Sequence, residues 1–241
     1  MPRPARLLGL LAAALAAAGG AAQPAPDALV AAWAEGQGAA ARAAGAVVLA
    51  ERVEREVDGP RGRMRVGHDG TVRYAPGARP ERAVDAVTVD GRALPAGRGG
   101  AVRRRLGRAF GPAGRDLAAP PPLPFHAVAR GEPDGPALAD RVGTDDAWRV
   151  VLRPDGPPVR RVEAWFSRSA APRLLRTRTE TRHRGARVVR EVDYARAGGL
   201  DLPRDVRTTA TVRQRRRLRD YVVTVRSEGR YRPLDAGRGG R

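Results

Sequence analysis

Apolar and polar positions follow two different periods along this chain. Over Asp27 to Ala44, Leu29, Val30 and Trp33 fall at helical spacing, with Asp27 placed to cap the first turn. The alanines of this stretch suit close packing on a sheet, and Gly36 and Gly38 weaken its second half. From Gly45 the period drops to two. Val47-Val48-Leu49 and then Arg52 to Val57 read as a strand that stops at Asp58-Gly59-Pro60. Arg63-Met64-Arg65-Val66 alternates, His68-Asp69-Gly70 reads as a turn, and Thr71 to Tyr74 alternates again. Val87-Thr88-Val89 and Arg92-Ala93-Leu94 flank Asp90-Gly91, a dipeptide that favours a tight hairpin. Within Gly99 to Phe110, the positions Val102, Leu106 and Phe110 recur every four residues, which predicts a short amphipathic helix with Arg103, Arg104, Arg105 and Arg108 outward. The prolines of Ala119 to Pro124 predict an extended, polyproline-type loop.

The C-terminal half reads as strand after strand. Segments Trp148–Arg153, Arg161–Phe166, Arg173–Thr181, Arg187–Tyr194, Val206–Arg213 and Tyr221–Arg226 are divided by turn signals, as an antiparallel meander requires. One face carries Trp148, Val150 and Leu152, then Val162, Ala164 and Phe166; the other carries Arg149, Arg153, Arg161 and Glu163. Trp165 and Phe166 are neighbours on one strand and so face opposite ways, with Phe166 inward by its phase with Val162 and Ala164. A sheet with one apolar face has to bury it. The two predicted helices offer cover, and the rest is either self-covered by curling or left to a ligand.

The N-terminus sets the compartment. Arg3 and Arg6 precede an unbroken Leu/Ala/Gly run from Leu7 to Ala18, and Gly20-Ala21-Ala22 supplies small residues before Gln23. This is the layout of a secretory signal over residues 1–22, with cleavage before Gln23; an uncleaved anchor is the alternative. The run is shorter than the ~20 residues of a permanent span. No cysteine is present to be acylated or to form disulfides. A single exported, soluble periplasmic domain over 23–231 with a flexible 232–241 tail is the expected organisation. The net charge of +19 would otherwise suggest nucleic acid. Export argues against it, as does the absence of aromatic interleaving around Arg103–Arg105 and Arg215–Arg217. All of the basic residues are arginine, and Lys, Ile and Asn, which share A/T-rich codons, are absent, so a GC-rich genome suffices to explain the excess. Attraction to an anionic membrane surface or an acidic envelope protein is the functional alternative.

The order signal, helix, meander, small helix, second meander resembles the LolA/LolB-like periplasmic lipoprotein-carrier fold family. Asp146–Pro154, Val162–Arg168, Glu191–Tyr194 and Gly198–Pro203 are similar to its strand and turn segments. The resemblance implies an α+β, mainly β fold: a curved antiparallel sheet, an incomplete barrel, covered on its concave side by a few short helices. It also implies an apolar cavity between sheet and helices for a lipid or lipoprotein acyl chain, since each sequestered methylene is worth roughly 0.8 kcal/mol. The residues expected to line it are Trp33, Val102, Leu106, Phe110, Trp148, Val150, Leu152, Val162 and Phe166; for Trp33, Trp148, Trp165 and Phe166 an ordinary core role is the competing reading. With aromatic residues at 4%, aliphatic side chains would dominate such a lining.

Nothing in the motifs points to catalysis, a metal or a cofactor. His68, His126 and His183 lie far apart, two of them in predicted turns, with no HExxH or HxxxH spacing. Ser167, Ser169 and Ser227 lack a nucleophile-elbow context. Two functions remain: a carrier or binder of acyl chains, or a non-catalytic envelope module docking an anionic partner through its arginines.

Overall fold

The computed structural model describes residues 23–60, 62–75, 78, 80–95, 128, 131–154, 159–183, 185–216 and 219–234. Helix α1 (Pro26–Ala44) is followed by strands β1 (Val47–Gly59), β2 (Gly62–Tyr74), β3 (Glu81–Val89) and β4 (Arg92–Ala93). Then come β5 (Gly131–Pro133), β6 (Leu138–Val142), β7 (Asp145–Pro154) and β8 (Val159–Ser167). The chain ends in four long strands: β9 (Leu174–His183), β10 (Ala186–Ala197), β11 (Leu200–Arg216) and β12 (Arg219–Pro233). All twelve join one antiparallel sheet in the order β4-β3-β2-β1-β12-β11-β10-β9-β8-β7-β5, with β6 also on β7. The N-terminal and C-terminal meanders meet where β1 pairs with β12, Leu49 opposite Pro233 and Val57 opposite Val225. The end strands are not paired with each other, so the sheet is open.

Local chemistry explains the turns. The predicted hairpin at Asp90-Gly91 is present, with positive φ at both residues (49° and 78°) and Val89 facing Arg92. The break after Asp58 is a hairpin in which Gly59 faces Gly62. The expected turn at His68-Asp69-Gly70 is not a turn: β2 runs unbroken through it, and the pairing with β3 slips by one residue between Asp69 and Gly70. A β-bulge leaves an extra residue and needs close backbone approach, which Gly permits. A Cβ at Gly70 would land on the carbonyl oxygen of Ala83. Gly70→Ala is therefore expected to destabilise the protein by about 1–3 kcal/mol in a denaturant titration, while Gly36→Ala, with open space around it, should not.

The fold differs from expectation in its cover. A concave side roofed by a few short helices does not hold: α1 is the one complete helix among the described residues, and the sheet makes up most of the structure. The predicted helix over Gly99–Phe110 lies outside the described residues. The reason lies in the strands. They supply most of the main core, which draws on Leu49 and Val53 of β1, Val72 of β2, Val150 and Leu152 of β7, and Val162 and Phe166 of β8, together with Val128 and Ala137. Helix α1 adds Leu29 and Trp33. Its start also differs from the sequence reading. Ala25 is the N-cap without a side-chain hydrogen bond, Pro26 follows it, and Asp27 sits in the first turn, where it complements the helix dipole.

Candidate functional site

Strand register fixes which side chains share the concave face, because residues directly opposite in antiparallel strands point the same way. One cross-strand row runs Ala164–Thr177–Val192–Val206–Gly229–Val53–His68 and is mostly apolar. It belongs with α1 to the main core. The next row runs Val162–Thr179–Arg190–Thr208–Ser227–Arg55–Val66 and is mostly polar. Beyond it, Val188, Ala210 and Val225 on one row and Val212 and Val223 on the next form a second apolar cluster. None of α1's residues belongs to that cluster. The face that carries α1 therefore holds two buried apolar clusters separated by a polar seam.

Charges meet at the β1–β2 end of these rows, with Arg55 in the polar row, His68 in the apolar row and Glu51 one row further. Glu51 and Arg55 share the inward phase of Leu49 and Val53, so β1 carries both signs into the interior. The Glu51 Oε1 lies 2.6 Å from Arg82 Nε and 3.3 Å from His68 Nε2, and Arg55 Nη1 lies 2.9 Å from His68 Nδ1. A guanidinium can only donate, so His68 accepts at Nδ1 and keeps its proton on Nε2, which donates to Glu51. Burial pushes the His68 pKa down, consistent with that neutral tautomer. Burial also lowers Arg55 to about 10, which leaves it charged at neutral pH. Tyr231, opposite Glu51, is pushed up to about 12 by burial, and Tyr74 and Tyr194 are raised as well, so all three stay neutral phenols. Tyr194 shares a hydrogen bond with Thr177 at 2.9 Å.

Helix α1 is fixed to the other end of the face by a single carboxylate. Asp201, 2% exposed at the start of β11, accepts at Oδ2 from Trp33 Nε1 and from the Leu174 backbone N–H, both at 2.9 Å. The Asp201 N–H donates to Gln37 Oε1 at 2.9 Å, so Trp33 and Gln37, one helical turn apart, grip the same residue. The Trp33 ring meets Phe166 edge-on, centroids 5.8 Å apart.

No protein-family profile matches the chain, and no curated protein matches it. Among solved structures, a domain assigned to outer membrane lipoprotein sorting from Vibrio parahaemolyticus is 12% identical and aligns over 84% of this chain and 91% of its own, with a TM-score of 0.41. The MucA/MucB complex of Pseudomonas aeruginosa gives 11% identity over 86% of this chain and 99% of the other, TM-score 0.23. A second MucB structure, with MucA(peri), gives 13%, 85% and 98%, TM-score 0.20. At these values no residue or role is carried across.

Of the residues expected to line a cavity, Trp33, Val150, Leu152, Val162 and Phe166 come together in the main core, each 0–1% exposed. Trp148 packs against that core half-buried, opposite Phe166, with the Arg168 guanidinium 4.3 Å from its ring centroid. Val102, Leu106 and Phe110 lie outside the described residues. The alternation argument separating Trp165 from Phe166 holds. Trp165 points the other way, into a small cluster with Ala147 and Leu175, and donates to Asp140 at 2.9 Å. Sequence reasoning missed Glu51, Arg55, His68, Arg82 and Arg190. The signal was present, because Leu49, Glu51, Val53, Arg55 and Val57 alternate strictly, but charged residues in such a phase read as surface.

Many of the outward arginines are matched by carboxylates. Glu180 is held at about 2 by hydrogen bonds from Arg187 and Arg182. Asp193 is clamped by Arg176 at 2.6 Å and Arg207 at 3.0 Å. Glu163 pairs with Arg161 and Arg178, and Glu56 with Arg63, Arg65 and Arg226. Arg161–Glu163 and Arg182–Glu180 lie within one strand, the others across neighbouring strands, and together they spread both signs over the outer face.

Proposed function

We propose that the protein is an exported, non-catalytic binder that takes a lipid or lipoprotein acyl chain against the concave face of its sheet. The observation that carries this reading is the second apolar cluster. Val188, Ala210, Val212, Val223 and Val225 continue the inward face beyond the cluster that α1 joins; they are buried, 0–8% exposed, and aliphatic rather than aromatic. An acyl chain needs such a wall, at roughly 0.8 kcal/mol for each methylene removed from water. The polar seam beside the cluster offers hydrogen-bonding groups next to the apolar wall, as an amphiphile requires. A soluble periplasmic location fits a carrier of this kind.

The test is direct. Protein purified without detergent should release lipid on solvent extraction, detected by mass spectrometry, and delipidated protein should take up a fluorescent fatty acid saturably. Protein that carries no lipid and takes up no probe would sink the reading. General docking of an anionic partner through the arginine surface is less favoured, because many of the arginines along β8–β11 already have carboxylate partners.

A further inference from the structure

At one place on the outer face, arginines without a carboxylate partner among the described residues stand beside an opening in the sheet. The pairing of β11 with β12 stops at Asp205 opposite Arg230. Beyond it β11 continues to Leu200 paired only with β10, and β12 continues to Pro233 paired only with β1. The cause is local. Pro203 has no N–H to give to a ladder, and the β10–β11 register slips between Asp193 and Tyr194 just beside it. The two strands part, and a cleft of about 450 Å³ opens between them. Leu202, Pro203, Tyr231 and Pro233 form its apolar walls, and Arg204, Arg230 and Arg232 stand around them.

The charges here do not cancel. Asp205 accepts from Arg204 Nε at 2.7 Å, and no ion pair holds Arg230 or Arg232 among the described residues. Arg230 and Arg232 are two apart on one strand, so they rise on the same side roughly 7 Å from each other. Two guanidiniums at that spacing form a fork for a tetrahedral dianion, with the Asp205 carboxylate opposite Arg230 drawn to Arg204, and a phosphomonoester carries about −1.5 to −2 at neutral pH. A pocket of this size, apolar except for a few fixed charges, suits a small molecule better than a flat membrane surface. We propose that the cleft between β11 and β12 binds a phosphomonoester whose organic part is apolar, with the phosphate on Arg230 and Arg232 and the organic part against Leu202, Pro203 and Pro233.

Calorimetric titration of the full chain with phenyl phosphate, inorganic phosphate and soluble dihexanoyl phosphatidic acid tests this. Phenyl phosphate should bind one per chain and more tightly than inorganic phosphate. R230A/R232A should weaken it at least about tenfold, the loss expected for charge-assisted hydrogen bonds, with an unchanged melting temperature. R230K/R232K, which keeps the charge and loses the fork, should fall between. Tighter binding of the phosphatidic acid would identify a lipid head group, and tighter binding of phenyl phosphate a soluble phosphoester; either supports the site. Equal affinity for phenyl phosphate and inorganic phosphate, or undiminished binding by R230A/R232A, would overturn it. Uptake of the fatty-acid probe should be the same in R230A/R232A and wild type, so this proposal and the acyl-chain reading fail separately.

Discussion

Glu51→Gln is expected to lower stability by about 3–5 kcal/mol, the usual cost of leaving a buried charge without its counter-ion. The Glu51 side chain is wholly buried, and its Oε1 serves both Arg82 and His68. Without that carboxylate, Arg82 loses its ion pair with Glu51 while the two guanidiniums of Arg82 and Arg55 still repel each other. For a domain of this size the melting temperature should fall by roughly 10 °C. Thermal unfolding by circular dichroism reads the effect. The informative comparison is the double variant E51L/R82L, which removes the charge pair together and should recover part of the loss, as apolar replacements of buried ion pairs do. Glu51→Gln melting with wild type would show that the interior network contributes nothing.

Asp201→Ala should cost about 2–5 kcal/mol, because two buried donors, Trp33 Nε1 and the Leu174 N–H, lose their only acceptor together. Asp201→Asn keeps an oxygen acceptor and should cost clearly less. Comparing the Asn variant with wild type also gives a pH signature. Burial is the larger influence on the Asp201 carboxyl and pushes it above its ordinary 3.8, against the pull of its hydrogen bonds from Leu174 and Trp33. A carboxyl that titrates higher when folded adds stability that is complete below its unfolded pKa and lost as pH rises through the folded one. The stability of wild type relative to Asp201→Asn should therefore improve between neutrality and about pH 4. Both existing bonds end on Oδ2, so a proton on Oδ1 can be accepted without breaking either. A gap that stays constant over that range would rule this out.

How far the sequence could be read depended on whether a residue's chemistry agreed with its phase. Phe166 and Trp165 were separable because both are apolar and only alternation decides between them. The Asp90-Gly91 hairpin was legible because its backbone needs positive φ at two adjacent positions and few residue pairs supply that. His68-Asp69-Gly70 misled because glycine serves two purposes: here it sits in a strand beside a bulge, where the Ala83 carbonyl leaves no room for a Cβ. Glu51 and Arg55 were invisible because their interior position depends on partners from β2 and β3, which no local pattern reveals. The grip of Asp201 on α1 spans more than half the chain and left no local trace. The cleft between β11 and β12 had a faint one, the proline in mid-strand at Pro203, which reads as a strand start until the register is known.

The pairing of β1 with β12 has a consequence for the order in which the molecule is made. Apart from short β5, every other neighbouring pair in the sheet joins strands consecutive along the chain, so most of the sheet can assemble by local hairpins as it emerges. The pair at the centre has to wait, because closing it brings Leu49 to Pro233 and costs the largest loop entropy in the fold. Until the last strand arrives, β1 and β11 each present a long open edge, the kind of template on which chains associate wrongly. Loss of residues 219–234 would not shorten the sheet; it would leave two separate meanders, each with an unprotected edge.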